Sequence, residues 1–133
     1  MSGLKTFFGL TAAIAAALTT LAPPRAAAAP LDPLTAEFAG CTGRLSALME
    51  HQWLLSDPEA DRTETRRAAM IALLDAVTPP DAALAALARR IEAKQAQAVL
   101  LTRATFGQDP AQAAFAATRA EAEIARCLAN LLG

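Results

Sequence analysis

Few side chains in this sequence could do chemistry. Among its 133 residues are one histidine, His51, and two cysteines, Cys41 and Cys127. His51 lies two positions before the only tryptophan, Trp53, in the stretch MEHQWLL. On a helix, residues two apart point about 200° away from each other, so the two rings cannot form one site. We therefore expect His51 at the polar boundary of a helical bundle and Trp53 over the end of its core.

Catalytic and metal-binding roles find little support in these residues. A serine triad would need Ser46 or Ser56 beside His51, but Ser46 points elsewhere on the helix and Ser56 lies at its end. The sequence also lacks C-x-x-C-H for haem attachment, Glu-x-x-His for a two-metal carboxylate site, and a glycine-rich phosphate loop. We expect a protein that is not an enzyme and that holds no metal and no cofactor.

Arginine is the remaining residue type that could bind a ligand. Five arginines fall at similar heights on the predicted helices and could hold a carboxylate or phosphate in bidentate fashion. They are Arg44, Arg66, Arg67, Arg89 and Arg90. The alternative is a solvated charged face, with Glu64 near Arg67 and Glu92 near Arg89 at helical neighbour spacing. The spacing favours the charged face and leaves open a small-anion binder or a helical enzyme that works through these arginines.

Helix boundaries are marked by proline. Aspartate accepts hydrogen bonds from the free N–H groups of a first helical turn, and proline fits the first helical position. A further break at residues 78–81 contains two prolines, and Gly107 offers a residue type that tolerates the left-handed end of a helix. Three Asp-Pro pairs each precede an alanine- and leucine-rich stretch: Asp32-Pro33, Asp57-Pro58 and Asp109-Pro110. These residues predict four helices, near 33–55, 58–77, 81–106 and 110–132.

Apolar residues recur at three- and four-residue steps, which predicts a buried seam on each helix. The third helix would bury Leu84, Leu87, Ile91, Ala98 and Leu101. The corresponding residues are Met70, Ile71, Leu74 and Val77 on the second helix, and Ala117, Ile124, Leu128 and Leu131 on the fourth. Short connections favour an all-α, antiparallel up-down four-helix bundle. In that topology Cys41 and Cys127 differ in height by roughly 4–5 Å, so a disulfide can join the first and last helices. An even cysteine count in an exported chain supports the same bond.

The first residues have the layout of a secretory signal peptide. Lys5 precedes an apolar run from Phe7 to Leu21, and Ala26 and Ala28 suit the two positions that signal peptidase reads. We expect cleavage after Ala28, so that residues 1–28 are the signal peptide and residues 29–133 form a periplasmic helical bundle domain. An uncleaved membrane anchor is the alternative, although the run is short for a hydrocarbon core about 30 Å thick.

Charge excludes one class of partner. The chain has 12 lysines and arginines against 13 acidic residues, and cleavage would remove two of the basic ones. Nucleic-acid binding needs a basic patch, so it is not expected. We expect an unknown protein or small-ligand partner, with a membrane partner only if the signal segment is uncleaved. An exposed apolar strip near one end of the bundle is the predicted contact surface: Trp53, Leu54 and Phe106.

One long stretch of the sequence resembles part of other proteins. Residues 41–64, CTGRLSALMEHQWLLSDPEADRTE, resemble a family of small exported bacterial helical proteins to which no function is assigned. The resemblance continues through RRAAMIALLDAV, IEAK and LLTRATF, and so covers most of the chain after residue 28. It implies export and a helical fold, but it implies no activity and transfers no catalytic residue.

Overall fold

Four α-helices make up the fold. The computed structural model describes residues 30–132, and no strand occurs among them. The helices are α1 (Pro33–Leu54), α2 (Ala60–Val77), α3 (Ala83–Phe106) and α4 (Pro110–Leu132), and a short 3-10 turn at Pro80–Ala82 precedes α3. The predicted all-α class is therefore confirmed. The predicted signal peptide, residues 1–28, lies outside the described residues.

The aspartates before the helices act in two different ways. Asp32 and Asp109 each accept hydrogen bonds from two backbone N–H groups of the following turn, at 2.8–3.2 Å. This satisfies donors that have no partner within the helix. Asp57 instead accepts from the N–H of Glu59 at 2.9 Å, and α2 begins at Ala60. Asp57 therefore orders the turn before α2, and the helix begins two residues later than predicted.

Gly107 ends α3 as predicted, but for a different reason. Its backbone is extended, with φ −65° and ψ 136°, rather than left-handed. A Cβ at this position would lie 2.4 Å from the carbonyl oxygen of Arg103. Glycine is therefore required here for space. The left-handed residue is Ser56, with φ 55°, in the turn after α1.

Helix α1 is enclosed by its neighbours. All six residues from Phe38 to Gly43 are buried. Successive residues of a helix are about 100° apart, so six in a row cover its whole circumference. On one side, the Thr35 hydroxyl donates to the carbonyl of Val77 at the end of α2, at 3.2 Å. On other sides α1 meets α3 and α4, which makes it the centre of the fold.

Small residues bring α1 and α3 very close together. A Cβ added at Gly43 would lie 2.1 Å from the carbonyl oxygen of Arg90 and 2.9 Å from the backbone nitrogen of Lys94. Backbones at this separation leave no room for large side chains between them. The residues that α3 buries are correspondingly small or slender: Ala86, Ala93 and Gln97.

The predicted seam of the third helix is wrong for its first three residues. Leu84, Leu87 and Ile91 are 82%, 49% and 47% exposed. The buried residues Ala86 and Ala93 each follow one of these by two positions, which places them about 200° around the helix. The apolar spacing identified a real stripe, but the stripe faces away from α1. The small-residue face packs inward because it permits the close approach at Gly43.

A disulfide lies within the core. Phe38 and Leu45 of α1 pack with Met70 and Leu74 of α2, and the cluster includes the bridge between Cys41 and Cys127. Both cysteines are fully buried, and their Cα atoms are 5.3 Å apart. The predicted bond between the first and last helices is confirmed. It closes a loop with a sequence separation of 86 residues, for which the chain-entropy model gives about 4–5 kcal/mol of stabilisation.

No single helix among residues 30–132 has both the length and the apolar composition of a membrane span. α2 and α3 meet that test only when taken together, and a bend of 120° separates them. Both helices contribute buried residues to the core, Met70 and Leu74 from α2 and Ala86 from α3.

Candidate functional site

An apolar groove runs between α3 and α4, and Leu48 of α1 also lines it. Its volume is about 350 Å³, at the lower end of the roughly 300–1,000 Å³ of small-molecule sites. Gln97 and Glu121 are the only lining residues with polar side chains. The other lining residues are Leu101 and Ala104 of α3, and Ala117, Ala120, Ile124, Ala125 and Leu128 of α4.

The groove follows from the sizes of the facing side chains. Ile124 and Leu128 belong to the predicted seam of the fourth helix and pack against the core. Ala117 and Ala120 lie on the same face of α4, and Ala104 lies opposite them on α3. Three methyl side chains cannot fill the space that leucines would fill at these positions. This cavity cannot be predicted from the sequence, because pairing of alanines across two helices leaves no pattern within either one.

Gln97 ties the two walls of the groove together. It is 1% exposed, and its Nε2 donates to the backbone carbonyl of Ala120 at 3.2 Å. A buried side-chain amide is retained where it has hydrogen-bond partners, since leaving it unpaired is costly. Glu121, at the rim, is exposed. The groove therefore combines apolar walls with one amide inside and one carboxylate at its edge.

The five predicted arginines do not meet at one point. The Arg67 Nε donates to the Ser46 hydroxyl at 2.7 Å. Arg44 precedes Ser46 by two positions, so the two side chains leave α1 about 200° apart. Arg44 and Arg67 therefore lie on opposite sides of α1. The remaining arginines, Arg66, Arg89 and Arg90, are half-buried on α2 and α3.

Two of the five arginines, Arg44 and Arg89, do converge. A Cβ built on Gly40 would lie 2.8 Å from the Arg44 Nη1 and 3.5 Å from the Arg89 Nη2. Both guanidinium groups thus lie over the bare backbone of Gly40. Each also has a carboxylate partner, because Arg89 Nη1 lies 3.1 Å from the Glu92 Oε2 and Arg44 Nε lies 3.2 Å from the Glu123 Oε2.

Glu123 is the centre of an ion cluster that the sequence analysis missed. Besides Arg44, its buried carboxylate contacts Arg119 at 2.8 Å and also Arg126. Arg119 and Arg126 are four residues before and three residues after Glu123, a spacing that places them beside it on one helix. That part of the cluster could have been found from the sequence. The contact with Arg44, across two helices, could not.

Burial sets the electrostatics of Arg44. Desolvation lowers the pKa of Arg44 below its ordinary value, and the nearby Glu123 carboxylate opposes that shift. Arg126 and Arg89 lower this pKa further. Because guanidinium stays protonated in proteins, Arg44 remains a cation that needs its partner. The cluster therefore joins α4 to α1, and an added anion would compete with Glu123 and Glu92.

The predicted contact residues are all exposed. Trp53, Leu54 and Phe106 are 51%, 70% and 51% exposed. Trp53 therefore does not cover the core as expected. His51 lies where α1 meets α3: its Nε2 is 2.9 Å from the Thr105 hydroxyl, and its ring meets Phe106 edge-on at 6.2 Å between centroids. His51 and Trp53 thus belong to different surroundings.

One cluster has metal-ligand residue types but the wrong chemistry. Ligand atoms of Glu37, Cys41 and Cys127 lie within 4.8 Å of one another. Both sulfurs belong to the disulfide, whereas the thiolate is the form that binds metals. The Glu37 carboxylate instead accepts from the Asn130 side-chain amide at 3.3 Å. With the disulfide formed, these residues cannot act as a thiolate metal centre.

Comparison with known proteins shows no relative. No family model matches this chain, and no curated protein or solved structure matches it. The resemblance of residues 41–64 to exported helical proteins therefore stays a prediction.

Proposed function

We propose that this protein is a non-enzymatic helical bundle that binds a small amphipathic molecule in the groove between α3 and α4. The groove itself supports this proposal: a space of about 350 Å³ with apolar walls and only two polar side chains. Most small-molecule sites have this character, with a few polar groups that orient the ligand. Apolar surface removed from water contributes roughly 25 cal/mol per Å² to such binding.

The rim of the groove indicates which end of the ligand faces solvent. The apolar part of the ligand would lie against Leu101, Ile124 and Leu128. Its polar end would lie near Glu121, whose side chain is exposed. Like charges repel, so a carboxylate here disfavours an anionic end group and favours a cationic one. We therefore infer a single-chain amine as the ligand class, in preference to a fatty acid.

A chemical-shift titration tests this proposal. ¹⁵N-labelled protein is titrated with dodecylamine and, separately, with dodecanoate, both below the concentration at which they form micelles. We expect saturable shifts at amides around the groove with the amine and weaker ones with the carboxylate. The Ala117→Leu variant should fill the groove and weaken amine binding at least tenfold, whereas Ala122→Leu, on an exposed face of α4, should leave it unchanged. Equal binding by the two variants would contradict the proposal.

An alternating helix direction forms part of the same proposal. Two contacts support it: Thr35 near the start of α1 meets Val77 at the end of α2, and His51 near the end of α1 meets Thr105 near the end of α3. We therefore infer an antiparallel up-down arrangement. Spin labels at the C-terminal ends of α1 and α3 should lie close together in this arrangement. If the two helices ran in opposite directions, the labels would be separated by about the 33 Å length of a 22-residue helix.

We also propose export to the periplasm with cleavage after Ala28. The disulfide supports this proposal, because disulfides persist in oxidising compartments. Intact mass spectrometry of the protein from a periplasmic extract is the test. A chain that begins at Ala29 would agree with the proposal. A membrane-bound chain that retains residues 1–28 would favour the anchored alternative.

Binding of a small anion is a second candidate, supported by the convergence of Arg44 and Arg89 over Gly40. Inorganic phosphate or succinate would then raise the unfolding temperature saturably. The Arg89→Ala variant should lose that protection, and Arg66→Ala, on α2, should retain it. Absence of protection in the unaltered protein would remove this candidate and leave the groove proposal intact.

A further inference from the structure

The outward face of α3 carries an apolar stripe. Five large residues point within an arc of about 120°, counted at 100° per residue. Their exposed fractions lie between 47% and 82%. We call them the α3 stripe: Leu84, Leu87, Ile91, Val99 and Phe106.

We propose that a second copy of this chain docks on the α3 stripe, in an antiparallel two-fold pairing centred on Gln95. A two-fold interface uses the same patch on both protomers, so that residue i meets residue j and residue j meets residue i. A stripe can serve this purpose only if its residues match when its direction is reversed. Four of the five residues of the α3 stripe meet that condition.

Four of the five large residues are placed symmetrically about Gln95. Leu84 and Phe106 lie 11 residues before and 11 residues after it, and Ile91 and Val99 lie 4 residues before and 4 after it. When two copies of α3 run antiparallel with their Gln95 residues opposed, Leu84 faces the partner's Phe106. Ile91 then faces the partner's Val99. Apolar residues therefore cover apolar residues in these two kinds of pair, and the Gln95 side-chain amides can hydrogen-bond to each other across the axis.

The charged residues of α3 tolerate this pairing. Leu87 faces the partner's Arg103, whose aliphatic stem can cover apolar surface while its guanidinium stays in water. Glu92 faces the partner's Ala98, so the carboxylate meets no like charge. The same reversal about Gln95 brings no two charged residues of α3 opposite each other. Charge therefore does not oppose the register that the apolar residues select.

The size of the stripe sets the expected affinity. Between Leu84 and Phe106 a helix rises about 33 Å, and the contact is about 10 Å wide. One helix face of this size is smaller than the roughly 800 Å² per partner of a standard interface. We expect a reversible dimer that dissociates on dilution.

The α3 stripe and the groove are on different sides of α3. Gln97, Leu101 and Ala104 of α3 line the groove, and none of them belongs to the stripe. The dimer therefore does not depend on the proposed ligand.

Sedimentation equilibrium of the non-reduced protein tests the pairing, over about 1 μM to about 1 mM, the range of weak dissociation constants. We expect the unaltered protein to shift from monomer to dimer across this range. Ile91→Glu, at the middle of the stripe, should raise the dissociation constant at least tenfold. Phe115→Glu is the matched control, because Phe115 is an exposed aromatic residue on α4, and it should dimerise like the unaltered protein. Circular dichroism checks that both variants fold.

A cysteine variant tests the register. Gln95→Cys places one thiol beside the two-fold axis, so mild oxidation should join two copies covalently. Ala96→Cys places its thiol about 100° further around the helix and should not cross-link. The native cysteines are fully buried and bonded to each other, so they should not exchange. The proposal is overturned if the protein stays monomeric to about 1 mM. It is also overturned if the two glutamate variants have equal effects on the dissociation constant, or if cross-linking is equal at positions 95 and 96. The monomeric result would point to a different partner for the stripe.

Discussion

Helices α1 and α3 are similar in length, 22 and 24 residues, but they contribute to the core in opposite ways. Over residues 38–43, α1 is buried around its whole circumference, and it carries the large core residues Phe38 and Leu45. α3 buries only Ala86, Ala93 and Gln97, and it exposes Leu84 and Leu87. The difference shows that in α3 side-chain size, rather than hydrophobicity alone, decides which face enters the core.

The physical reason lies at the contact between the two helices. At Gly43 the backbones of α1 and α3 approach so closely that a Cβ would overlap the carbonyl of Arg90. Close approach allows many backbone atoms to gain dispersion contacts, each small but collectively large. Large residues on the same face of α3 would separate the helices. The large residues of the α3 stripe lie on the opposite face instead, where they are exposed and can contact a partner.

Removing the disulfide, which bonds the enclosed helix α1 to α4, should have the largest effect on the free energy of unfolding. Cys41→Ala with Cys127→Ala should lower the free energy of unfolding by about 4–5 kcal/mol, the chain-entropy value for so long a loop. That is a large part of the roughly 5–15 kcal/mol of a typical domain. Urea unfolding followed by circular dichroism measures the loss. As a control, reductant without denaturant should leave the bond of the unaltered protein intact, because both sulfurs are buried. A loss below about 1 kcal/mol, no more than an average point substitution causes, would contradict this account.

Adding one methyl group at Gly43 tests the close contact between α1 and α3. Gly43→Ala should lower the free energy of unfolding by about 1–3 kcal/mol or more, because a Cβ there meets backbone atoms that cannot move independently. Gly40→Ala is the matched control. Its Cβ would meet the end of the flexible Arg44 side chain, and alanine is favoured over glycine in a helix by roughly 0.5–1 kcal/mol. Urea midpoints compare the two variants. Equal destabilisation by both would argue against the close approach.

Neutralising Glu123 tests how α4 is held to α1. Glu123→Gln leaves Arg44, whose side chain is only 14% exposed, without its anionic partner. We expect a loss of about 1–3 kcal/mol, as for an unsatisfied buried group. Glu92→Gln removes a more exposed pair with Arg89 and should change stability by about 1 kcal/mol or less. A larger effect of Glu92→Gln in the same urea measurement would contradict the central role assigned to Glu123.

The predictable parts of this protein were those set by neighbours in sequence. Asp32 and Asp109 marked helix starts because a cap acts within one turn. The cysteine bridge followed from the heights of two residues on predicted helices. The inward face of α3 was not predictable in this way, because it depends on Gly43 of another helix. The groove and the contact between Arg44 and Glu123 also arise between helices, where the apolar spacing of one helix carries no information.

Two identical substitutions test the central claim that α3 turns its large residues outward. The apolar spacing placed Leu74 and Leu84 alike in buried seams, but Leu74 is 7% exposed and Leu84 is 82% exposed. Urea unfolding of Leu74→Ala and Leu84→Ala is measured at a concentration where the protein is monomeric. We expect Leu74→Ala to lower the free energy of unfolding by about 2–5 kcal/mol and Leu84→Ala to change it by less than about 0.5 kcal/mol. Comparable losses in both variants would mean that Leu84 faces the core, and would contradict the account.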